Sequence, residues 1–359
     1  LVEHKKTIIP AYFLTPAFQK KCSFGLKLLL VVGIAGVLYR QLSPPQALSS
    51  MIDAFLEHWN TQSVSWLAIA VFLMPFNWIL ETMKWRQFTQ SWSSMGFWES
   101  WRAVLAGVAA SMLLPNRSGD YLGRLLLSPK AEQSKAAIAT LAGSYCQWVV
   151  LTGAGIPSLL WFAPRYIGWD FEQGGLMLVL ELTALLILIF LGAFIPRWLQ
   201  HFFASQKKSK AIVWLRPFEV ILDYKPAVLA RGLGFAASRY LLYSFQYYCI
   251  LHFYSVDLPL GTAFAGVGVI YLLQTSIPLP PVLGLLARGE IALLVWRPFG
   301  ANALSILAAS YSLFTLNLLA PSLVGLLLIL KNAYKKTTHE DQKNDADGFA
   351  LTDDRADSI

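Results

Sequence analysis

The sequence predicts an all-α integral membrane protein of about six full transmembrane helices plus two re-entrant helical hairpins, arranged as an inverted repeat. Three observations carry that prediction. Hydrophobic residues make up 56% of the 359 residues and charged residues only 14%, whereas soluble domains carry roughly 25% charge. The apolar residues gather in runs that approach or exceed the ~20 residues needed to cross a hydrocarbon core. Two further apolar runs break at Pro-containing turns that are followed by an arginine and a carboxylate. A soluble body with a large apolar core would need a polar surface that this composition does not supply.

The spans follow in chain order. Runs at 24–38 and 64–80 are short but flanked by Lys27, Arg40 and Lys84, and longer ones lie at 136–162, 174–195, 226–253 and 302–330. Lys20 and Lys21 precede the first run as in a signal peptide. No small-residue cleavage site follows, so it reads as a retained span. Tryptophans cluster near span ends, among them Trp59, Trp92, Trp98, Trp161 and Trp198, where amphipathic rings anchor at the interface. The domain division is a cytoplasmic N-terminal segment at 1–23, a polytopic membrane domain at 24–330 and an acidic, disordered cytoplasmic tail at 331–359. Between 196 and 225, basic residues interleaved with Trp214, Leu215 and Phe218 suggest an interfacial amphipathic helix.

Lysine and arginine fix the orientation. Lys5, Lys6, Lys20, Lys21, Lys84, Arg86, Lys207, Lys208, Lys210, Arg216, Lys331, Lys335 and Lys336 fall on one set of loops, and the opposite loops are poor in basic residues. Both termini are therefore expected in the cytoplasm, which six full crossings satisfy. The net charge of +8 is the usual bias of such a protein and does not point to nucleic acid.

The two broken segments carry the charges that hydrophobicity does not explain. Residues 101–114 span only about 21 Å as helix against a core of roughly 30 Å, then turn through Pro115, Asn116, Arg117, Ser118, Gly119 and Asp120. Residues 258–277 turn through Pro278, Leu279, Pro280 and Pro281, and return over 282–296 with Arg288, Gly289 and Glu290 in mid-run. Full crossing would bury that pair at the bilayer centre, at several kcal/mol. Both segments therefore read as re-entrant hairpins, the first from the cytoplasm and the second from outside. Each stands between two spans, in units of opposite orientation, as in many transporters with a midplane site between repeats.

Arg117, Asp120, Arg124, Arg288 and Glu290 are the candidate binding residues. A guanidinium presents paired planar donors to a phosphate and keeps its charge when desolvated. Gly119, Gly123, Gly284 and Gly289 would allow close backbone approach. The competing reading pairs Arg117 with Asp120 and Arg288 with Glu290 simply to hold the hairpins together. Asn77 and Glu81 share a helix face one turn apart, and Glu81 reads more simply as an interfacial partner of Lys84. Gln147, Arg239 and Gln246 suit either a cavity wall or interhelical hydrogen bonds. Glu181, alone in an apolar span, suits a proton-coupling carboxylate or, more simply, a neutral group bonded to a neighbouring span. Cys22, Cys146 and Cys249 form no CxxC pair. The sequence contains no HExxH, GxSxG, Walker A or GxGxxG-before-helix motif. No catalytic residue, metal or cofactor is expected.

Asn77-Trp-Ile-Leu-Glu81, the Lys84-Trp85-Arg86 that follows, and Leu114-Pro-Asn-Arg-Ser-Gly-Asp120 with Arg124 resemble the membrane region of bacterial lysylphosphatidylglycerol synthetases and their free-standing flippase-like relatives. The segment from Ile277 through Gly284 to Arg288-Gly289-Glu290 is similar to that family's Pro-Gly-rich turn ending in an Arg/Glu pair. The family usually has Pro-Gly-Gly-Leu-Gly there, where this chain has Pro278-Leu-Pro-Pro-Val-Leu-Gly284. The resemblance covers roughly residues 24–330. It implies a bacterial inner-membrane protein that handles lipid without the soluble aminoacyltransferase domain, hence not an enzyme. Its expected role is to bind, and move between leaflets, a phospholipid or other phosphate-bearing lipid. The alternatives are a non-transporting scaffold for an envelope lipid or glycan synthase, and an intramembrane transferase using Asp120 or Glu290 as base.

Overall fold

The computed structural model describes residues 52–59, 61–112, 119–168, 171–205, 216–276 and 281–332. Among these the secondary structure is entirely helical, with no strand. The expected first span at 24–38, Arg117, the basic stretch 206–215 and the turn 277–280 lie outside the described residues, as do residues 333–359 of the tail.

Each of the five later expected spans is one long helix. These are α1 (Thr61–Thr89), α4 (Gln133–Phe162), α5 (Phe171–Ser205), α6 (Pro226–Phe253) and α9 (Ala303–Asn332). Ser63–Thr89, Lys130–Ile167 and Ala303–Asn332 are long and apolar enough to cross a membrane. Between them lie the short helices α2 (Phe97–Ser111) and α3 (Gly119–Leu127), and later α7 (Leu260–Ser276) and α8 (Pro281–Trp296). With 9 to 17 residues each, they rise at most about 26 Å, less than a hydrocarbon core. Of the expected interfacial helix at 196–225, residues 206–215, with Trp214 and Leu215, lie outside the described residues. Its first part, through Pro196 to Ser205, continues α5, and Arg216–Asp223 is a 3₁₀ segment. The last span also runs past its expected end, so Lys331 is helical and not part of the tail.

The burial pattern is inside-out relative to a soluble protein. On α1, Ile69, Phe72, Phe76 and Ile79 are exposed, while Asn77, Glu81, Thr82 and Lys84 are buried. Leu186 and Ile187 of α5 and Leu323 and Leu327 of α9 likewise face outward. An apolar perimeter this extensive on helices of this length is a lipid-facing surface. The protein is a membrane protein.

Small residues set the helix spacing. A Cβ on Gly119 would collide with the carbonyl of Ala110, and one on Gly123 with the carbonyl of Ala106. One turn apart on α3, these glycines let it lie directly on the α2 backbone, the small-residue mode of membrane helix packing. Gly325 of α9 meets the Leu105 carbonyl of α2 in the same way, and Gly155 of α4 receives Leu272 of α7. α1 and α6 pack along each other, joined by the buried Gln246 amide donating to the Ala70 carbonyl at 2.8 Å. An aromatic seam of Phe162, Trp296 and Tyr247, with rings edge-on at 6.3 and 6.0 Å, ties α4, α8 and α6 together.

Candidate functional site

Where α1, α3 and α6 meet, a buried carboxylate gathers three cations. Glu81 Oε2 accepts from Lys84 Nζ and from Arg239, both at 2.7 Å, and Oε1 accepts from Arg124 at 2.8 Å. All four side chains are buried. Helical spacing explains part of this, since Lys84 follows Glu81 by one turn on α1. Arg239 comes from the packed partner α6, and Arg124 is delivered by the glycine-spaced α3. The guanidinium of Arg124 lies 5.6 Å from the Trp85 ring centroid and that of Arg239 lies 5.3 Å from Trp78. Such faces favour a desolvated cation.

Polar side chains extend the cluster on both sides. Arg239 Nε donates to Asn77 Oδ1 at 2.8 Å, and Asn77 Nδ2 donates to Asn317 Oδ1 at 2.7 Å. Asn317 sits in a π-helical turn, Thr315–Leu319, within α9. Such turns widen a helix locally and recur at functional sites. Lys84 also donates to Gln147 Oε1 on α4 at 3.3 Å. Asp120 approaches Arg124 only to 4.0 Å. Arg124 Nε, Trp78 Nε1, Asp120 Oδ1 and Asn317 Nδ2 are buried without a hydrogen-bond partner among the described residues.

Glu81, Lys84 and Arg239 of the cluster line a cavity of ≈ 910 Å³. Its wall takes residues from both halves of the chain, among them Lys84, Asp120, Tyr145, Arg239, Tyr271 and Arg288. A volume of this size accommodates a ligand as large as a lipid headgroup and the start of its chains. Lys84, Arg239 and Arg288 outnumber Glu81 and Asp120 along it, and the Glu81 carboxylate is already engaged by three cations. The cavity is therefore electropositive and suited to an anion.

The residues expected to bind fall in several places. Asp120 and Arg288 line the cavity, and Arg124 stands directly behind Glu81. Arg288 packs 5.7 Å from the Phe314 ring. Glu290 is exposed and does not belong to the wall. Gly289 works at a helix contact, where a Cβ would meet the Tyr311 hydroxyl at 2.7 Å, and nothing lies within 4 Å of a Cβ on Gly284. Glu81 does pair with Lys84, but in a buried network and not at an interface. Gln246 is an interhelical bond, whereas Gln147 and Arg239 line the cavity. Glu181 is buried and accepts a hydrogen bond from Ser276 at the end of α7. Sequence reasoning passed over Asn317. Its signal was a lone amide in the apolar run of the last span, a residue that seeks a partner on another helix.

The family model for the lysylphosphatidylglycerol synthase TM region matches residues 26–325. The chain belongs to that family. The matched region takes in the charge cluster, both broken segments and the cavity between them, so the whole candidate site lies within the synthase-type membrane region. Comparison with curated proteins gives no match.

Proposed function

We propose that this membrane domain binds the phosphate of a lipid headgroup in the cavity and carries that lipid between leaflets, without catalysing a reaction. The observation that carries the reading is the surplus of cations at the cavity. Lys84, Arg124 and Arg239 surround one carboxylate, and Arg288 lines the same cavity. Guanidinium pairs suit phosphate oxygens, and a membrane-embedded site enlarges their attraction. Arg117, Arg239 and Arg288 hold the phosphate, while Arg124 behind Glu81 adds positive charge and Asp120 stands beside it at 4.0 Å.

The same reading takes the chain as an inverted repeat in a bacterial inner membrane with both termini in the cytoplasm, and the element order supports the repeat alone. Long helix α1, short pair α2–α3 and long helix α4 are followed by long helix α6, short pair α7–α8 and long helix α9. The short pairs serve as the re-entrant hairpins, and the five long helices serve as crossings. Sites built from discontinuous helices between repeats are the common arrangement for alternating access.

The test is lipid analysis of the gently purified protein by native mass spectrometry, wild type beside Arg239→Gln/Arg288→Gln. One phosphate-bearing lipid class retained by the wild type and lost from the variant is the expected result. It should be accompanied by loss of headgroup movement across proteoliposomes. Equal retention in both proteins, together with stable co-purification of an envelope synthase, would establish the scaffold role instead.

A further inference from the structure

One buried ionisable group stands apart from the charge cluster. Glu181 lies ten residues after Phe171, the first residue of α5. That is about 15 Å of helical rise, half the depth of a hydrocarbon core. Its neighbours Val179, Leu180 and Leu182 are exposed, whereas Glu181 itself is only 6% exposed. The carboxyl turns inward and meets the hydroxyl of Ser276, the last residue of α7. Among the described residues no lysine or arginine forms an ion pair with it. Ionisable side chains inside a span are costly and recur in proton relays.

The hydroxyl makes this contact sensitive to a proton. Ser276 Oγ lies within hydrogen-bond reach of two acceptors, the Glu181 carboxyl and the Leu272 carbonyl, the latter at 2.7 Å. A serine hydroxyl has one proton to donate. With Glu181 ionised, that proton serves the carboxylate and the Leu272 carbonyl goes without it. With Glu181 protonated, the acid donates to Ser276 Oγ, and Ser276 turns its own proton to Leu272. Both states keep the contact and differ in which oxygen donates. Other titratable groups on the surrounding elements are few. α5 has Glu172, Arg197 and His201, and α4 has Lys135, Tyr145 and Cys146. α7 has Tyr271, α8 has Arg288 and Glu290, and the 3₁₀ segment has Arg216, Glu219 and Asp223. Tyr145 meets α5 at Leu188 and Gly192, two turns or more beyond Glu181.

We propose that Glu181 is a proton-binding site that couples lipid movement to proton movement, an inference that rests on the transport reading above. The end of α7 is the link. Gln274 and Thr275 line the cavity, and Ser276, the next residue, holds Glu181. A lipid that displaces this end of α7 also draws Ser276 away from Glu181 and opens the carboxyl to water. The carboxylate then takes a proton from water on one side of the membrane, forming its O–H bond. The acid returns that proton to water on the other side. Ser276 only redirects its own proton, so no other group gains or loses one.

The test uses the full chain in proteoliposomes, with phosphatidylglycerol labelled on one acyl chain as the probe. The membrane potential is held at zero and a pH difference of one unit is imposed. One proton per lipid shifts the distribution of the probe between leaflets about tenfold per pH unit, relative to protein-free liposomes. Reversing the pH difference should reverse the shift. Glu181→Gln is expected to abolish this dependence. Its amide N–H can donate to Ser276 as the acid does, so an unchanged melting curve separates lost coupling from lost fold. Infrared difference spectra between acid and alkaline buffer should show the carbonyl stretch of a protonated carboxylic acid, which Glu181→Gln lacks. The wild-type distribution decides the matter even where the variant is unstable. Probe movement in the wild type that ignores the pH difference overturns the coupling and leaves transport standing. A pH-dependent distribution that persists in Glu181→Gln assigns the proton to another group and overturns it as well. If the wild type moves no probe under either gradient, the transport reading itself has failed and the coupling falls with it.

Discussion

Glu81 is the residue on which the cluster depends, because it is the anion that all three buried cations share. Neutralising it leaves Lys84, Arg124 and Arg239 facing one another without compensation. Breaking a buried ion pair from one side costs about 3–5 kcal/mol, so Glu81→Gln should lower the melting temperature of the micelle-solubilised protein by many degrees. Adding Lys84→Met to Glu81→Gln removes one of the stranded charges and is expected to recover part of that loss. A double-mutant cycle on thermal unfolding measures the coupling. Purely additive effects would show that Glu81 and Lys84 do not act on each other despite their 2.7 Å separation. Asn317 makes a smaller contribution. Asn317→Leu strands the Asn77 amide that donates to it at 2.7 Å. Its expected cost is about 1–3 kcal/mol, with Arg239 loosened because Asn77 also receives that guanidinium.

At the scale of elements, the position of α3 is set by two glycines with nothing to spare. Gly123→Val would drive a side chain into the Ala106 backbone of α2, and α3 must then move away from α2. Arg124 is the next residue, so its 2.8 Å bond to Glu81 is expected to break as well. The prediction is that Gly123→Val lowers both stability and lipid retention, while Gly153→Ala, at a position with open space around it, changes neither. Melting curves and retained-lipid spectra on the two variants decide it. This level was partly legible in the sequence. The apolar runs marked five long helices because length and hydropathy are local properties. The Pro-rich turns marked the broken segments for the same reason. The meeting of Glu81, Arg124 and Arg239 was not legible, since it joins positions 158 residues apart and each charge alone has an ordinary local explanation. Lys84 following Glu81 by one turn drew the eye to a surface pair, and only the packing of α1 on α6 shows that the pair is buried. Glu290 misled in the opposite direction. Its neighbour Arg288 faces the cavity, but two residues further along a helix the side chain points elsewhere.

At the scale of the whole molecule, the contact between α4 and α5 forms part of the cavity wall. The Tyr145 hydroxyl of α4 donates to the Leu188 carbonyl of α5 at 3.2 Å and lies against Gly192, and both Tyr145 and Gly192 line the cavity. Another part is the extensive α1–α6 packing, tied by Gln246 and by the shared cluster around Glu81. If lipid enters between helices, the weak α4–α5 seam is the side that must part, while α1–α6 serves as the fixed axis. In a background lacking Cys22, Cys146 and Cys249, cysteines at positions 145 and 192 joined by a short bifunctional reagent should stop headgroup movement in proteoliposomes. Cysteines joining positions 70 and 246 should not. Reduction of a cleavable linker at 145 and 192 should restore movement, which separates a locked seam from a damaged protein. Blockage by the 70–246 link with none from the 145–192 link would reverse the roles of the two sides. It would make the α1–α6 axis, with the charge cluster it carries, the part that moves.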